Sequence, residues 1–78
     1  MRVTMARKMA PTLVATPALL AWRIRRGFVQ KVLADRAGVD RATVARLEQG
    51  GVGRLDTITK LAAALDCTPA DLMALAER

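Results

Sequence analysis

Apolar residues recur at helical spacing along most of this chain, in five segments separated by glycine, proline or capping residues. This pattern predicts helices over residues 18–26, 30–37, 41–49 and 55–65, and a short fifth helix after Thr68. Strand-like alternation is weak and is limited to residues 2–5. The chain is therefore expected to be all-α, a compact bundle of five helices.

Local signals mark the ends of these helices. Thr16 is expected to cap the first helix, with Pro17 at its first position. Thr68 and Pro69 have the same roles in the fifth helix. Leu55 is expected on the inward stripe of the fourth helix.

The second and third helices are predicted to be joined by a tight turn. Gly38 can take the left-handed conformation that ends a helix, and Asp40 follows as the expected N-cap. Ala34 is small where the two helix backbones would approach closely. Such a pair presents its second helix for the major groove of DNA. The outer face of that helix carries Arg41, Ala42, Ala45 and Arg46.

Composition narrows the classes of function. The 78 residues allow one small domain, and they include no histidine, no serine and a single cysteine. No metal-ligand cluster and no phosphate-binding glycine motif is present. We therefore expect no metal, no cofactor and no enzymatic activity. Cys67 is expected to be a small buried hydrophobe in a reducing compartment.

Basic residues are concentrated in the first half of the chain. Residues 1–34 contain seven Lys or Arg and no acid, and the whole chain has a net charge of +6. An excess of basic residues favours a polyanionic partner, because cationic side chains that neutralise the phosphates of a nucleic acid release its bound counterions. The apolar run 9–22 imitates a secretory signal, but prolines interrupt it and it is too short to span a bilayer. We expect a cytoplasmic protein that does not contact a membrane.

From about Ala18 to its C-terminal end, the chain resembles the Cro/phage-repressor (lambda-repressor-like) family of helix-turn-helix transcription regulators. The matching positions are Gln30, Leu33, Ala34, Gly38, Val39, Thr43, Val44, Leu47, Glu48 and Gly50, then 55–65 and 68–72. The resemblance implies a helix-turn-helix domain over residues 16–78, behind a basic N-terminal extension of residues 1–15. It also implies a sequence-specific transcription regulator of bacterial or phage origin that is found at the nucleoid. We expect a repressor that binds double-stranded DNA at a palindromic operator as a homodimer.

Three residues are candidates for contact with bases. Arg41 lies in the first turn of the third helix, and an arginine there can donate two hydrogen bonds to guanine. Arg46 shares the outer face and could contact a second base. Either arginine could instead be an ordinary solvated helix residue, or contact only a phosphate. The methyl group of Ala42 could meet a thymine methyl, or could simply leave space.

Phosphate contacts are expected from Gln30, Thr43 and Arg54. Gln30 opens the second helix, where the resemblance implies a contact with the DNA backbone. The Thr43 hydroxyl could instead bond within its own helix, and Arg54 could be solvated. The resemblance further implies a buried structural salt bridge between Arg23 and Glu48.

The chain departs from the family at several positions. Val29 replaces the serine or threonine that usually caps the second helix, so this helix start should be weaker. Val32 is apolar where a charged residue is common. A glycine loop over residues 50–53 replaces the usual proline of the connection between the third and fourth helices.

Two alternatives stay open for the N-terminal extension. Arg2, Arg7 and Lys8 could form a flexible basic arm along the duplex, or a strand through Val3 and Met5 could pair with a second subunit. The extension also supports an alternative function. Its apolar residues could dock a protein partner, which would make the chain an antitoxin or adaptor on the same fold.

Overall fold

The computed structural model describes residues 12–75, which form five helices and two short strands. In chain order these are β1 (Leu13–Ala15), α1 (Leu19–Arg26), α2 (Gln30–Ala37), α3 (Arg41–Glu48), β2 (Val52–Arg54), α4 (Leu55–Leu65) and α5 (Pro69–Met73). Each predicted helix is present, and the predicted ranges agree to within one residue. Pro17 was wrongly expected at the first position of α1, because it precedes the N-cap residue Ala18. The predicted compact five-helix fold is confirmed, with the addition of a small sheet.

This two-stranded sheet was not predicted. β1 and β2 are antiparallel, with Leu13 opposite Arg54 and Ala15 opposite Val52. The expected glycine loop therefore contains a strand, and residues 13–15 of the predicted extension pair with it. A Cβ atom on Gly53 would lie 3.1 Å from a Leu47 methyl group, so glycine lets the sheet approach the core closely.

One aliphatic cluster forms the core, and every helix contributes at least one buried side chain to it. Its members are Leu19, Leu33, Ala34, Val44, Leu47, Ile58, Leu61, Ala62, Leu65 and Leu72. Trp22 and Phe28 pack at its margin, where Arg25 stacks 4.6 Å from the Trp22 ring centroid and Arg36 stacks 4.8 Å from that of Phe28. Leu55 is 39% exposed, so its expected place in the core was wrong.

The helix ends match some of the expected caps. The Thr68 hydroxyl accepts from the backbone amide of Asp71, and the Asp71 carboxylate accepts from that of Thr68, at 3.1 and 3.0 Å. Gly38 is left-handed as predicted, with φ of 74°. Thr16 was wrongly expected to cap α1, because it lies before the N-cap and its buried hydroxyl has no described hydrogen-bond partner. Asp40 occupies the N-cap position of α3 without a side-chain cap bond.

Val29 is the N-cap of α2, and its backbone already has the extended conformation of a capping residue. Val29→Thr should raise the free energy of unfolding by about 0.5–2 kcal/mol, because the hydroxyl can accept from a free amide of the first turn. Urea denaturation measures the effect. Val29→Ala is the matched control, since it shortens the same exposed side chain without adding an acceptor. Equal stability of the two variants would contradict the missing-cap interpretation.

Candidate nucleic-acid interface

α2 and α3 form the helix-turn-helix unit. The turn between them is closed by Val39, whose amide donates to the Ala34 carbonyl at 3.0 Å. Leu33 and Ala34 of α2 are buried, as are Val44 and Leu47 of α3, so the two helices share one apolar contact. The opposite face of α3 remains open, and Arg41, Ala42 and Arg46 are exposed there.

Side chains from three helices are joined in one chain of hydrogen bonds beside this unit. Arg41 Nη1 donates to Gln30 Oε1, and Gln30 Nε2 donates to Glu48 Oε1, both at 3.0 Å. Glu48 also accepts from Arg23, whose Nη2 lies 3.0 Å from the same oxygen and whose Nε binds the other oxygen. Arg23 Nη1 donates to the Phe28 carbonyl at 2.8 Å. One glutamine thus connects an exposed arginine of α3 with an ion pair between α1 and α3.

The ion pair between Arg23 and Glu48, which the family resemblance implied, lies largely out of solvent. The side chains of Arg23 and Glu48 are 14% and 6% exposed. Burial alone raises the pKa of Glu48, but hydrogen bonds from Arg23 and Gln30 outweigh it and hold that pKa below its usual range. The hydrogen bond to Glu48 is the main reason that the pKa of Arg23 is raised. Both groups are therefore charged at neutral pH.

The lowered pKa of Glu48 predicts a loss of stability in acid. The stabilisation is fully present above the ordinary carboxyl pKa of 4.5 and is lost as the pH falls through the lower folded value. Glu48→Gln should therefore lose less stability than the parent protein between about pH 5 and about pH 3. Thermal melts across this range test the prediction. Asp35→Asn is the control, since the Asp35 side chain is 67% exposed in its ion pair with Lys31. Parallel pH curves for the parent and Glu48→Gln would argue against this assignment.

Arg46 is placed apart from Arg41. Its Nη1 donates to the Val52 carbonyl at 2.5 Å, so its guanidinium lies on β2. Its Cγ atom would be 2.9 Å from a Cβ atom on Gly51, which explains the glycine at this point of the turn. Contact between Arg46 and a base would require the bond to Val52 to break. Periodicity could not reveal this bond, because it depends on the path of the chain after α3.

The other expected contact residues lie around α3 and the start of α4. Ala42 is exposed beside Arg41, and Thr43 is half-buried. Arg54 is the N-cap of α4 and is 61% exposed, with its Nε 3.4 Å from the Asp56 carboxylate. Arg2, Arg7 and Lys8 are outside the described residues.

Metal binding, membrane insertion and the reactivity of the cysteine are the remaining chemical properties of residues 12–75. Within them, no group of three or more His, Cys, Asp or Glu residues could hold a metal ion. Their helices are also too short or too polar to cross a membrane. Cys67 is half-buried, and burial, followed by the Asp71 carboxylate, raises the pKa of its thiol. Little thiolate is therefore present at neutral pH, which suits the expected packing role.

Comparison with known proteins identifies the domain. Residues 19–77 match the family model described as Cro/C1-type HTH DNA-binding domain. The match includes all five helices and every member of the hydrogen-bonded chain, but it begins after β1. Neither a curated protein nor a solved structure matches the chain.

Proposed function

Since this chain belongs to the Cro/C1-type helix-turn-helix DNA-binding family, it is a DNA-binding transcription regulator, and we propose that it is a repressor. It binds a palindromic operator as a homodimer, with the α3 helix of each subunit in successive major grooves on one side of the duplex. Repression follows when the bound dimer blocks access of polymerase to the promoter. The observation that supports sequence-specific binding through α3 is the exposed Arg41 held by Gln30 at the start of that helix.

Arg41 is the proposed base-reading residue. One of its terminal nitrogens binds Gln30, and its remaining donors can pair with the O6 and N7 atoms of guanine. Because Gln30 is itself bonded to Glu48, the arginine is oriented before DNA arrives and loses less side-chain entropy on binding. Ala42 provides a small apolar surface beside it for a thymine methyl group. Arg46 is a weaker candidate, since it must first leave Val52.

Gln30, Thr43 and Arg54 are the proposed phosphate contacts. The free amides at the N-terminus of α2 and the Gln30 side chain can bind the same phosphate. Arg54 is exposed, and its contact with Asp56 is long enough for a phosphate to compete for the guanidinium. These contacts fix the position of α3 in the groove, whereas base contacts supply the preference for a sequence.

Selection of bound duplexes from a random DNA pool tests the proposal. A palindromic consensus, followed by a gel shift on that duplex that persists at physiological salt, is the expected result. Sequence-independent binding that disappears with added salt would contradict the regulator. It would favour the alternative function, an antitoxin or adaptor whose main partner is a protein.

The basic N-terminal extension should contribute phosphate contacts through Arg2, Arg7 and Lys8. Each lost contact reduces the magnitude of the salt slope of binding by about 0.9. Deleting residues 1–9 should therefore reduce the slope by about two to three, while β1 stays in place. Affinity measured at several salt concentrations checks this. An unchanged slope per subunit together with loss of dimers would instead favour a strand through Val3 and Met5.

A further inference from the structure

Within residues 12–75, the two edges of the β1–β2 sheet differ in whether their outward backbone groups have partners. The Leu55 amide donates to the Thr12 carbonyl at 3.0 Å, which fixes the alternation of bonded and non-bonded pairs along the two strands. With this alternation, the N–H and C=O groups of Leu13 and Ala15 point away from β2. For the same reason the Val52 carbonyl points away from β1.

Only one of these edges is occupied within the described part of the chain. On the β2 edge, Arg46 donates to the Val52 carbonyl. On the β1 edge, no described residue makes a hydrogen bond to the outward backbone groups of Leu13 or Ala15. Natural proteins usually protect such an edge with a charged side chain or a proline, and Leu13–Ala15 contains neither.

Charge favours a second copy of this chain as the partner of the β1 edge. Two copies with a net charge of +6 repel each other across most of their surfaces. Residues 9–22 are the longest stretch without a charged side chain, and β1 lies inside it. On the outer face of the sheet Leu13 is 57% exposed and Val52 is 45% exposed, and the charge on this face belongs to Arg54 of β2, opposite Leu13. Pairing through β1 would therefore join the uncharged residues Leu13 and Ala15 of the two subunits.

We propose that β1 pairs with β1 of a second subunit, antiparallel about a two-fold axis beside Val14, to form a four-stranded sheet. Leu13 then lies opposite Ala15 of the partner subunit, and the two such pairs make four backbone hydrogen bonds. This register is favoured because it forms all four bonds within Leu13–Ala15, whereas either alternative forms only two there. Aligning Leu13 with itself would place Ala15 against Pro11, and aligning Ala15 with itself would place Leu13 against Pro17. Proline has no N–H to donate in either case.

The contact is small, so the two subunits should pair mainly when both are bound to DNA. Three residues of each subunit take part, whereas a stable interface uses about 20 residues a side. Free subunits are therefore expected to dimerise only weakly, and neighbouring half-sites raise their effective concentration on the operator. β2 follows α3 after three residues, so the axis relates the C-terminal ends of the two α3 helices. This last point rests on the proposed function, but the pairing itself does not.

Cysteine cross-linking between two different variants tests the register. Leu13→Cys and Ala15→Cys are prepared separately, each with Cys67→Ala to remove the native thiol. In the proposed sheet their Cα atoms lie about 5.5 Å apart across the interface, within the range that a disulfide spans. Like residues are about 8 Å apart, which is too far. Mild oxidation of the mixture should give about tenfold more covalent dimer than either variant alone.

The experiment is done first without DNA, so failure of DNA binding cannot affect its outcome. Circular dichroism confirms that each variant is folded. Equal cross-linking in all three samples, or none in the mixture of folded variants, overturns the proposal.

A second measurement uses the operator duplex selected from the random pool. Leu13→Lys with Ala15→Lys places like charges opposite each other and should abolish cooperative binding to two half-sites. Leu13→Glu with Ala15→Lys places opposite charges there and should keep it. Equal cooperativity in these two variants also overturns the proposal.

Discussion

Arg23→Met and Glu48→Leu, each made alone, should lower the free energy of unfolding by about 3–5 kcal/mol. Each change leaves the charge of the other residue without its partner in a site that is largely closed to solvent. Loss of Glu48 also removes the acceptor of Gln30, and loss of Arg23 removes a donor to the Phe28 carbonyl. Chemical denaturation of both variants measures the effect.

Two further variants distinguish the effect of burying an unpaired charge from the effect of removing a charge. One is the double variant of the buried pair, and the other lies in a surface ion pair. Arg23→Met combined with Glu48→Leu should recover much of the loss, because apolar side chains of similar size can replace a buried pair. Lys31→Met is the matched control, since Lys31 and Asp35 form an ion pair with exposed fractions of 73% and 67%. It should change stability by less than about 1 kcal/mol. If Arg23→Met were as stable as Lys31→Met, the desolvation argument would be wrong.

The position of this pair also explains why an arginine in a basic protein is structural. Arg23 lies on α1 and bonds both Glu48 of α3 and the Phe28 carbonyl in the turn before α2, so it joins three segments of the chain. DNA cannot replace Glu48 as its partner, because the pair is turned inward. Of the basic residues in α1, Arg26 is likewise bonded to backbone carbonyls, those of Leu65 and Asp66.

The sequence predicted the helices well because their signals are local. Period, capping residues and the glycine of the turn all lie within a few positions of the structure that they specify. The sheet was missed because β1 is three residues long and is specified by β2, which is distant in sequence. The boundary drawn at residue 15 remains a prediction, although residues 13–15 pair with β2.

The candidate site was predictable as a set of residues but not as an arrangement. Gln30 was expected at a phosphate, and its bonds to Arg41 and Glu48 were not foreseen. Arg46 was expected on the outer face of α3, but its bond to Val52 requires the turn that follows. Such contacts combine a flexible side chain with an acceptor whose position is set by the tertiary fold. The pair of Arg23 and Glu48 followed from family resemblance, and no spacing rule in the sequence indicates it.

Arg41→Ala should weaken binding to the selected operator by about 1–3 kcal/mol per half-site and relax the preference at one base pair. Arg25→Ala is the matched control, because it removes the same charge from a residue that stacks on Trp22 and lies outside the hydrogen-bonded chain. Fluorescence anisotropy on operator and random duplexes measures both variants. Equal losses on the two duplexes for Arg41→Ala would reassign Arg41 to a phosphate.

Gln30→Ala tests whether Arg41 is oriented before it meets DNA. If the bond between Gln30 and Arg41 fixes the guanidinium, Gln30→Ala should lose part of the same base preference in addition to its phosphate contact. The loss in the double variant should then be smaller than the sum of the two single losses by about 0.5–3 kcal/mol, because the residues are in direct contact. Losses that add within about 0.5 kcal/mol would mean that Gln30 and Arg41 act independently. Arg41 would then contact DNA without help from the ion pair behind Gln30.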